Sequence, residues 1–329
     1  MSLRILAVAF AAVMVSGSSM AAAAQALPPG VTERAIVVPG PVPLPGTLTV
    51  PAGIGPFPVI VLVHGSGPGD RDETIGPNKP FRDLAWGLAE RGIAVLRYDK
   101  RTRVNGMWFV GKPFTVKDEV IDDALSALVL ARQQPEVNPR RSYLLGHSEG
   151  GILAPRIAKQ DAALAGIIIA AGASRMRFAD QMDRQYAYIQ SVSGADSIAT
   201  RQAIAQVLPL VAKIHAITPA DSASTVLVMG APANYYIDLD AYDAAGTMRN
   251  VRKPALVLQG LRDYQITPEQ LDDWLKAVGP GPDITVKRYP LLYHLFIAGS
   301  GTPRPADYAV PGHVDTRVID DIAAWVRAH

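Results

Sequence analysis

SYLLGHSEGGILAPRIAKQ, residues 142–160, is the stretch on which the reading of this chain turns. Its first five residues make a short apolar run of the kind a buried strand shows, and GGILAPRIAKQ (150–160) carries apolar residues at the three- and four-residue spacing of an amphipathic helix. Between them stands Gly146-His147-Ser148-Glu149-Gly150, which fits G-x-S-x-G. Glycine and serine are common enough to produce that pattern by accident. A strand running directly into it and a helix directly out is the setting in which a serine rides on a sharp, strained turn. Glycine at the flanks lets strand and helix approach closely, so Ser148 is lifted into a cleft as the candidate nucleophile.

Outward from this corner the same alternation repeats. FPVIVLVHG (57–65), GIAVLRYD (92–99), AGIIIAAG (165–172), PALVLQG (254–260) and ITVKRYP (284–290) join SYLLG (142–146) as β-rich runs. FRDLAWGLAERG (81–92), VKDEVIDDALSALVLARQQ (116–134) and VIDDIAAWVRAH (318–329) are helical patterns between or after them. Alternation of this kind predicts the α/β class, a mostly parallel sheet flanked by helices. AIVVPGPVPLPGTLTVPAGIGP (35–56), rich in Pro and Gly between β-prone pieces, predicts an antiparallel hairpin at the sheet edge. Residues 173–253 exceed any ordinary crossover and read as a mainly helical cap insertion, leaving 27–172 and 254–329 as the core. Met176, Phe178, Met182, Tyr186, Tyr188, Tyr235, Tyr236 and Tyr242 in this insertion are candidates for lining a pocket, against the commoner reading of such stripes as core.

A serine nucleophile needs a base and an acid, and on this architecture they follow it in the order acid, then histidine, at strand ends. Asp263, just past PALVLQG, and His294, just past ITVKRYP, satisfy that order. Asp272 and Asp273 lie on a helical pattern and read as a solvated face, while His313 stands beyond a long loop and His329 at the terminus. The helix after Ser148 turns free N–H groups toward the site, making the Glu149 amide one expected oxyanion donor. The loop HGSGPG (64–69) supplies the other through the amide of Ser66, or of Gly67. His64 and His147 are expected to support the site as packed, hydrogen-bonded histidines, and His215 gets no role.

Composition removes other classes. A formal net charge of +2 on 329 residues, with both signs dispersed, offers no nucleic-acid surface. Cysteine is absent, so thiol chemistry and disulfides are excluded. Arg4, the apolar stretch 5–15 and SGSSMAAAAQA (16–26) read as a signal peptide over residues 1–26, which places the mature protein in the periplasm or outside the cell. No other segment looks membrane-spanning, and no stable membrane insertion is expected after the leader is removed. Asp70, Asp72 and Glu73 offer oxygen ligands on one loop, but local pairing with Arg71 is the simpler expectation and no metal is assigned. HGSGPGD lacks the Walker lysine and dinucleotide glycine spacing, so no cofactor is expected.

The chain resembles bacterial α/β hydrolases of the group that includes dienelactone hydrolases, acyl thioesterases and prolyl-oligopeptidase-like enzymes. The resemblance runs from about residue 44 to the end. PGTLTVP (45–51), VLVHGSGPGDRDETIGPNKPF (61–81), GIAVLRYDKR (92–101), DDALSAL (122–128), LLGHSEGGILAP (144–155), LQGLRD (258–263) and YHLF (293–296) carry it. It implies the α/β-hydrolase fold and a serine esterase or related acyl hydrolase acting on small-molecule esters, with Ser148, Asp263 and His294 at the matching catalytic positions. Two departures touch substrate preference. TRVNGMWFVGKPF (102–114) replaces a glycine-rich turn, so the loop around Trp108 and Phe109 is expected to reshape the pocket, and Tyr293 replaces a small polar residue before the histidine. A peptidase or thioesterase on the same three residues, and a non-catalytic ligand-binding protein on the same fold, are the alternatives. Lack of room for a propeller domain disfavours the peptidase, export the thioesterase, and an intact catalytic set the binding protein.

Overall fold

The computed structural model describes residues 26–192 and 198–329. The leader expected over 1–26 lies, apart from Ala26, outside the described residues. Eight strands, β1 (Thr32–Val38), β2 (Leu44–Val50), β3 (Phe57–Val63), β4 (Ala94–Tyr98), β5 (Val137–His147), β6 (Gly166–Ala170), β7 (Ala255–Gly260) and β8 (Ile284–Tyr289), form one sheet. Their spatial order is β1-β2-β4-β3-β5-β6-β7-β8. Strands β3 to β8 run parallel, and the β1-β2 hairpin joins antiparallel at the β4 edge, as its Pro- and Gly-rich sequence suggests.

The helices are α1 (Pro80–Ala89), α2 (Arg101–Asn105), α3 (Asp122–Arg132), α4 (Glu149–Gln160), α5 (Phe178–Val192), α6 (Ile198–His215), α7 (Ala233–Ala241), α8 (Ala244–Met248), α9 (Pro268–Val278) and α10 (Thr316–Ala328). Strands buried on both faces explain why their sequences are unbroken apolar runs. On β3, Val59, Val61 and Val63 pack with residues of α3, α4 and α9, while Ile60 and Leu62 face the opposite core under α1 and α10. Between β6 and β7 the described residues form α5 to α8, which pack onto the α3, α4 and α9 side.

Strand β5 starts at Val137, earlier than the apolar run 142–146 suggests. Val137 pairs with Phe57 and Ser142 with Val59, so residues 138–141 bulge outward between two paired positions. Their Asn-Pro-Arg-Arg sequence reads as a turn because these residues lie outside the regular ladder.

The corner after β5 depends on missing side chains. A Cβ on Gly146 would sit 2.1 Å from the Gly150 carbonyl oxygen, and one on Gly150 would sit 2.4 Å from that of Val63. Both obstacles are backbone and cannot rotate away. Gly146→Ala should therefore destabilise the protein by about 3 kcal/mol or more, the upper range for overpacking. Urea unfolding measures this, and an unchanged midpoint would contradict the close approach of β5 and α4.

Candidate active site

Ser148 occupies the corner between β5 and α4 with φ 53° and ψ −117°, the strained conformation expected of a serine on such a turn. Its amide donates to the Ala170 carbonyl at the end of β6 (2.9 Å), which fixes the corner to the neighbouring strand. Beyond β7, the Asp263 Oδ1 atom accepts from the amides of Gln265 (2.8 Å) and Ile266 (3.0 Å). Its Oδ2 lies 2.7 Å from the His294 Nδ1. That nitrogen faces a carboxylate and so carries the proton, leaving Nε2 of a neutral ring as an acceptor. Ser148 and His294 line one cavity of about 350 Å³, together with His64, Ser66, Glu73 and His147. A narrower arm of about 50 Å³ shares Ser66 and Ser148 with it and is lined further by Ile152, Leu239 and Ile266.

Among the described residues, the amides of Ser66 and Glu149 donate to no other residue. The ends of their loop are held from several sides. Lys100 Nζ donates to the Gly65 carbonyl (3.0 Å), the Gly65 amide donates to Glu73 Oε1 (2.8 Å), and Ser66 Oγ donates to Glu149 Oε2 (2.9 Å).

Two carboxylates at the site escaped the sequence reading as side chains. Glu149, read only for its amide, is buried, and burial pushes its carboxyl above the usual carboxylate range despite Lys100 3.9 Å away. Tyr235 of α7 donates to its Oε1 (2.8 Å). Glu73, read as a loop acid, is buried at φ 51° with Oε2 3.0 Å from His147 Nδ1. Its loop neighbours do not pair with Arg71 as expected. The Arg71 guanidinium meets Asp99 (2.8 Å), Asp72 takes Lys79 (3.1 Å) and Arg97, and Asp70 caps the amides of Asp72 and Thr74. The reason is topological, since the β4 end brings Arg97 and Asp99 against this loop, and adjacency in sequence does not reveal that. An acid directly after the elbow serine was the available signal for Glu149, and nothing in its local sequence sets Glu73 apart from Asp70 and Asp72.

The other candidates fall elsewhere. Buried His64 donates from Nε2 to the Asp70 carbonyl (2.8 Å), and burial lowers its proton affinity. His313 pairs with Asp83 (3.1 Å), His215 with Asp183 (2.7 Å), and Asp272 with Arg288 (2.6 Å) on an exposed face. Within the insertion, Tyr186 lines the main cavity, and Met176, Phe178 and Tyr242 line the narrow arm. Met182, Tyr188, Tyr235 and Tyr236 line neither arm. Trp108 and Phe109 do not line the cavity either: Phe109 is buried against Phe114 (ring centroids 4.2 Å apart) and Trp108 lies under Lys112. Arg103 is the residue of that segment at the cavity wall. The Tyr293 ring packs against that of Tyr308 (5.0 Å between centroids).

Comparison with known proteins bears on this arrangement. A sequence profile of the alpha/beta hydrolase family matches residues 60–324. Esterase EstD of Thermotoga maritima is 41% identical over 303 residues, a span that covers 91% of this chain and 68% of that protein. Among solved structures, Est1E from Butyrivibrio proteoclasticus is 15% identical with a TM-score of 0.53, covering 90% of this chain and 99% of that one. A hyperthermophilic esterase from Pyrobaculum calidifontis is 16% identical with a TM-score of 0.55, over 90% and 85% of the respective chains. At such identities the two structures speak for the fold alone.

Proposed function

The chain belongs to the alpha/beta hydrolase family, and from that premise we propose that it is a serine carboxylesterase with Ser148 as nucleophile, His294 as base and Asp263 as orienting acid. The observation that carries the reading is the 2.7 Å Asp263–His294 contact, with the imidazole and the Ser148 corner on one cavity wall. His294 Nε2 takes the hydroxyl proton as Ser148 Oγ attacks the ester carbonyl. The carbonyl oxygen gains the negative charge and is met by the Ser66 and Glu149 amides, a pair of donors fixed before the substrate arrives. Collapse expels the alcohol, which receives the proton from His294. Water then attacks the acyl-enzyme, giving its proton to His294, and Ser148 recovers that proton as the acid leaves.

The two arms divide the substrate. The alcohol must depart before water can enter, so it takes the wide arm, which reaches solvent beside exposed Arg103. The acyl group takes the narrow, mainly apolar arm. Each methylene gains about 0.8 kcal/mol while it is enclosed and nothing once the arm is full. On p-nitrophenyl esters, kcat/KM should therefore peak at a short acyl chain and fall roughly tenfold or more by the dodecanoate. Aminoacyl anilides in the same panel test the peptidase alternative, and acyl thioesters the thioesterase. An absence of ester turnover, with or without activity on those substrates, would defeat the reading. Export with removal of the leader near residue 26 is part of the proposal, supported by the sequence of that segment and checked by the N-terminal sequence of the protein recovered outside the cytoplasm.

A further inference from the structure

The proposed mechanism uses one carboxylate–imidazole pair, and the cavity contains a second. Glu73 and His147 are 7% and 5% exposed, both line the cavity, and neither has a step in the reaction. We propose that Glu73 is a positioning residue: through its buried pair with His147 it locks the oxyanion loop to the segment that carries His294. This rests on the esterase reading above.

The geometry is a continuous chain across three segments. Glu73 Oε1 accepts from the Gly65 amide (2.8 Å), one residue before the expected oxyanion donor Ser66. Glu73 Oε2 stands 3.0 Å from His147 Nδ1, and His147 Nε2 donates to the backbone carbonyl of His294 (3.0 Å). His147 directly precedes Ser148, so the chain ties together the oxyanion loop, the elbow and the histidine loop. His294 is thereby gripped twice, at its ring by Asp263 and at its main chain by His147.

His147 Nε2 donates to the His294 carbonyl, while Nδ1 lies at ion-pair distance from the Glu73 carboxylate without hydrogen-bond alignment, so a proton on both nitrogens is favoured by the charge of Glu73. Burial is the largest single influence and would strip that proton, but the Glu73 carboxylate, the His294 carbonyl and the Asp263 charge together outweigh it and hold His147 above its ordinary value. Burial likewise pushes Glu73 up, and His147 with the Gly65 amide brings it below the usual carboxylate range. The groups facing the pair from other elements are His294, whose ring centroid is 4.7 Å from that of His147, Asp263 behind it, and His64 and Lys100 on the Glu73 side. An imidazolium this close to the catalytic base would oppose the charge His294 acquires during attack, so the neutralising carboxylate is needed for His147 to hold the loop without penalising the reaction.

A merely structural acid and a positioning acid differ in which kinetic constant they move. Glu73→Gln retains the shape and an acceptor for Gly65 but removes the charge. It should lower kcat about 10- to 100-fold, the scale of a sub-ångström to 1 Å misplacement, with KM within roughly threefold of the parent. The inhibition constant of an arylboronic acid, which forms a tetrahedral adduct on the serine, should rise in step with the loss in kcat/KM. Nitrogen-15 shifts of His147 in the parent protein should show both ring nitrogens protonated at pH 7, a test that holds even where the variant folds poorly. A variant with parental kcat and boronate affinity, or a neutral His147 in the parent, overturns the assignment. Parent protein that turns over no ester overturns instead the functional reading, and the nitrogen-15 measurement still decides the ion pair.

Discussion

Ser148→Ala is expected to lower ester turnover on the order of 10⁶-fold, the scale seen when a serine hydrolase loses its nucleophile. The hydroxyl would form the covalent bond to the acyl group, and no neighbouring nucleophile occupies its corner. Ser66, the other serine lining the main cavity, donates its hydroxyl proton to Glu149 rather than to an imidazole. Folding should be spared. Alanine at φ 53° meets the same backbone strain that serine does, and the lost Oγ anchors no secondary structure, since the corner is held by the Ser148 amide and carbonyl. Labelling by a fluorophosphonate should vanish while the unfolding midpoint stays within a few degrees. Labelling that persists in the alanine variant would transfer the nucleophile elsewhere.

Asp263→Asn should cost about 10⁴-fold in kcat, and the structure gives the reason for so large an effect from so small a change. Oδ1 accepts from two backbone amides, so the asparagine side chain has only one satisfactory orientation, with its oxygen toward Gln265 and Ile266. Its NH₂ group then faces His294 Nδ1 and demands an acceptor there. The ring answers by moving its proton to Nε2, the nitrogen that in the proposed mechanism receives the serine proton. Steady-state kcat measured from pH 6 to 9 should stay low throughout, because deprotonation does not correct a wrong tautomer. Recovery to within tenfold of the parent at high pH would show that Asp263 acts only through its charge.

The fold was largely legible in the sequence. The parallel strands declare themselves because both faces are buried and no polar residue interrupts Ile60 to Val63 or Ile167 to Ile169. The order of Ser148, Asp263 and His294 follows from strand ends, which the apolar runs mark. Polar groups whose partners lie far away in sequence were not legible. Glu73 and Arg71 lie two residues apart in a loop whose charges were expected to pair locally, yet one is buried against His147 and the other bound to Asp99 by the fold of β4. Glu149 showed its amide in the sequence but not its side chain, since its partners Ser66, Lys100 and Tyr235 come from three different segments. The loop around Trp108 and Phe109 was expected to reshape the pocket; it reaches the cavity through Arg103, while the two rings pack on Phe114 and Lys112 of the same loop.

The phenol of Tyr235 has a bearing on engineering. It reaches from the helical insertion to the buried acid one position after Ser148, so that segment is not an interchangeable module. A graft that swaps residues 173–253 for a foreign sequence would leave one lone pair of Glu149 without its donor, a deficit of about 1–3 kcal/mol beside the amides that are to hold the oxyanion. Chimeras meant to retune selectivity should therefore carry a hydroxyl to that point, whatever else they exchange.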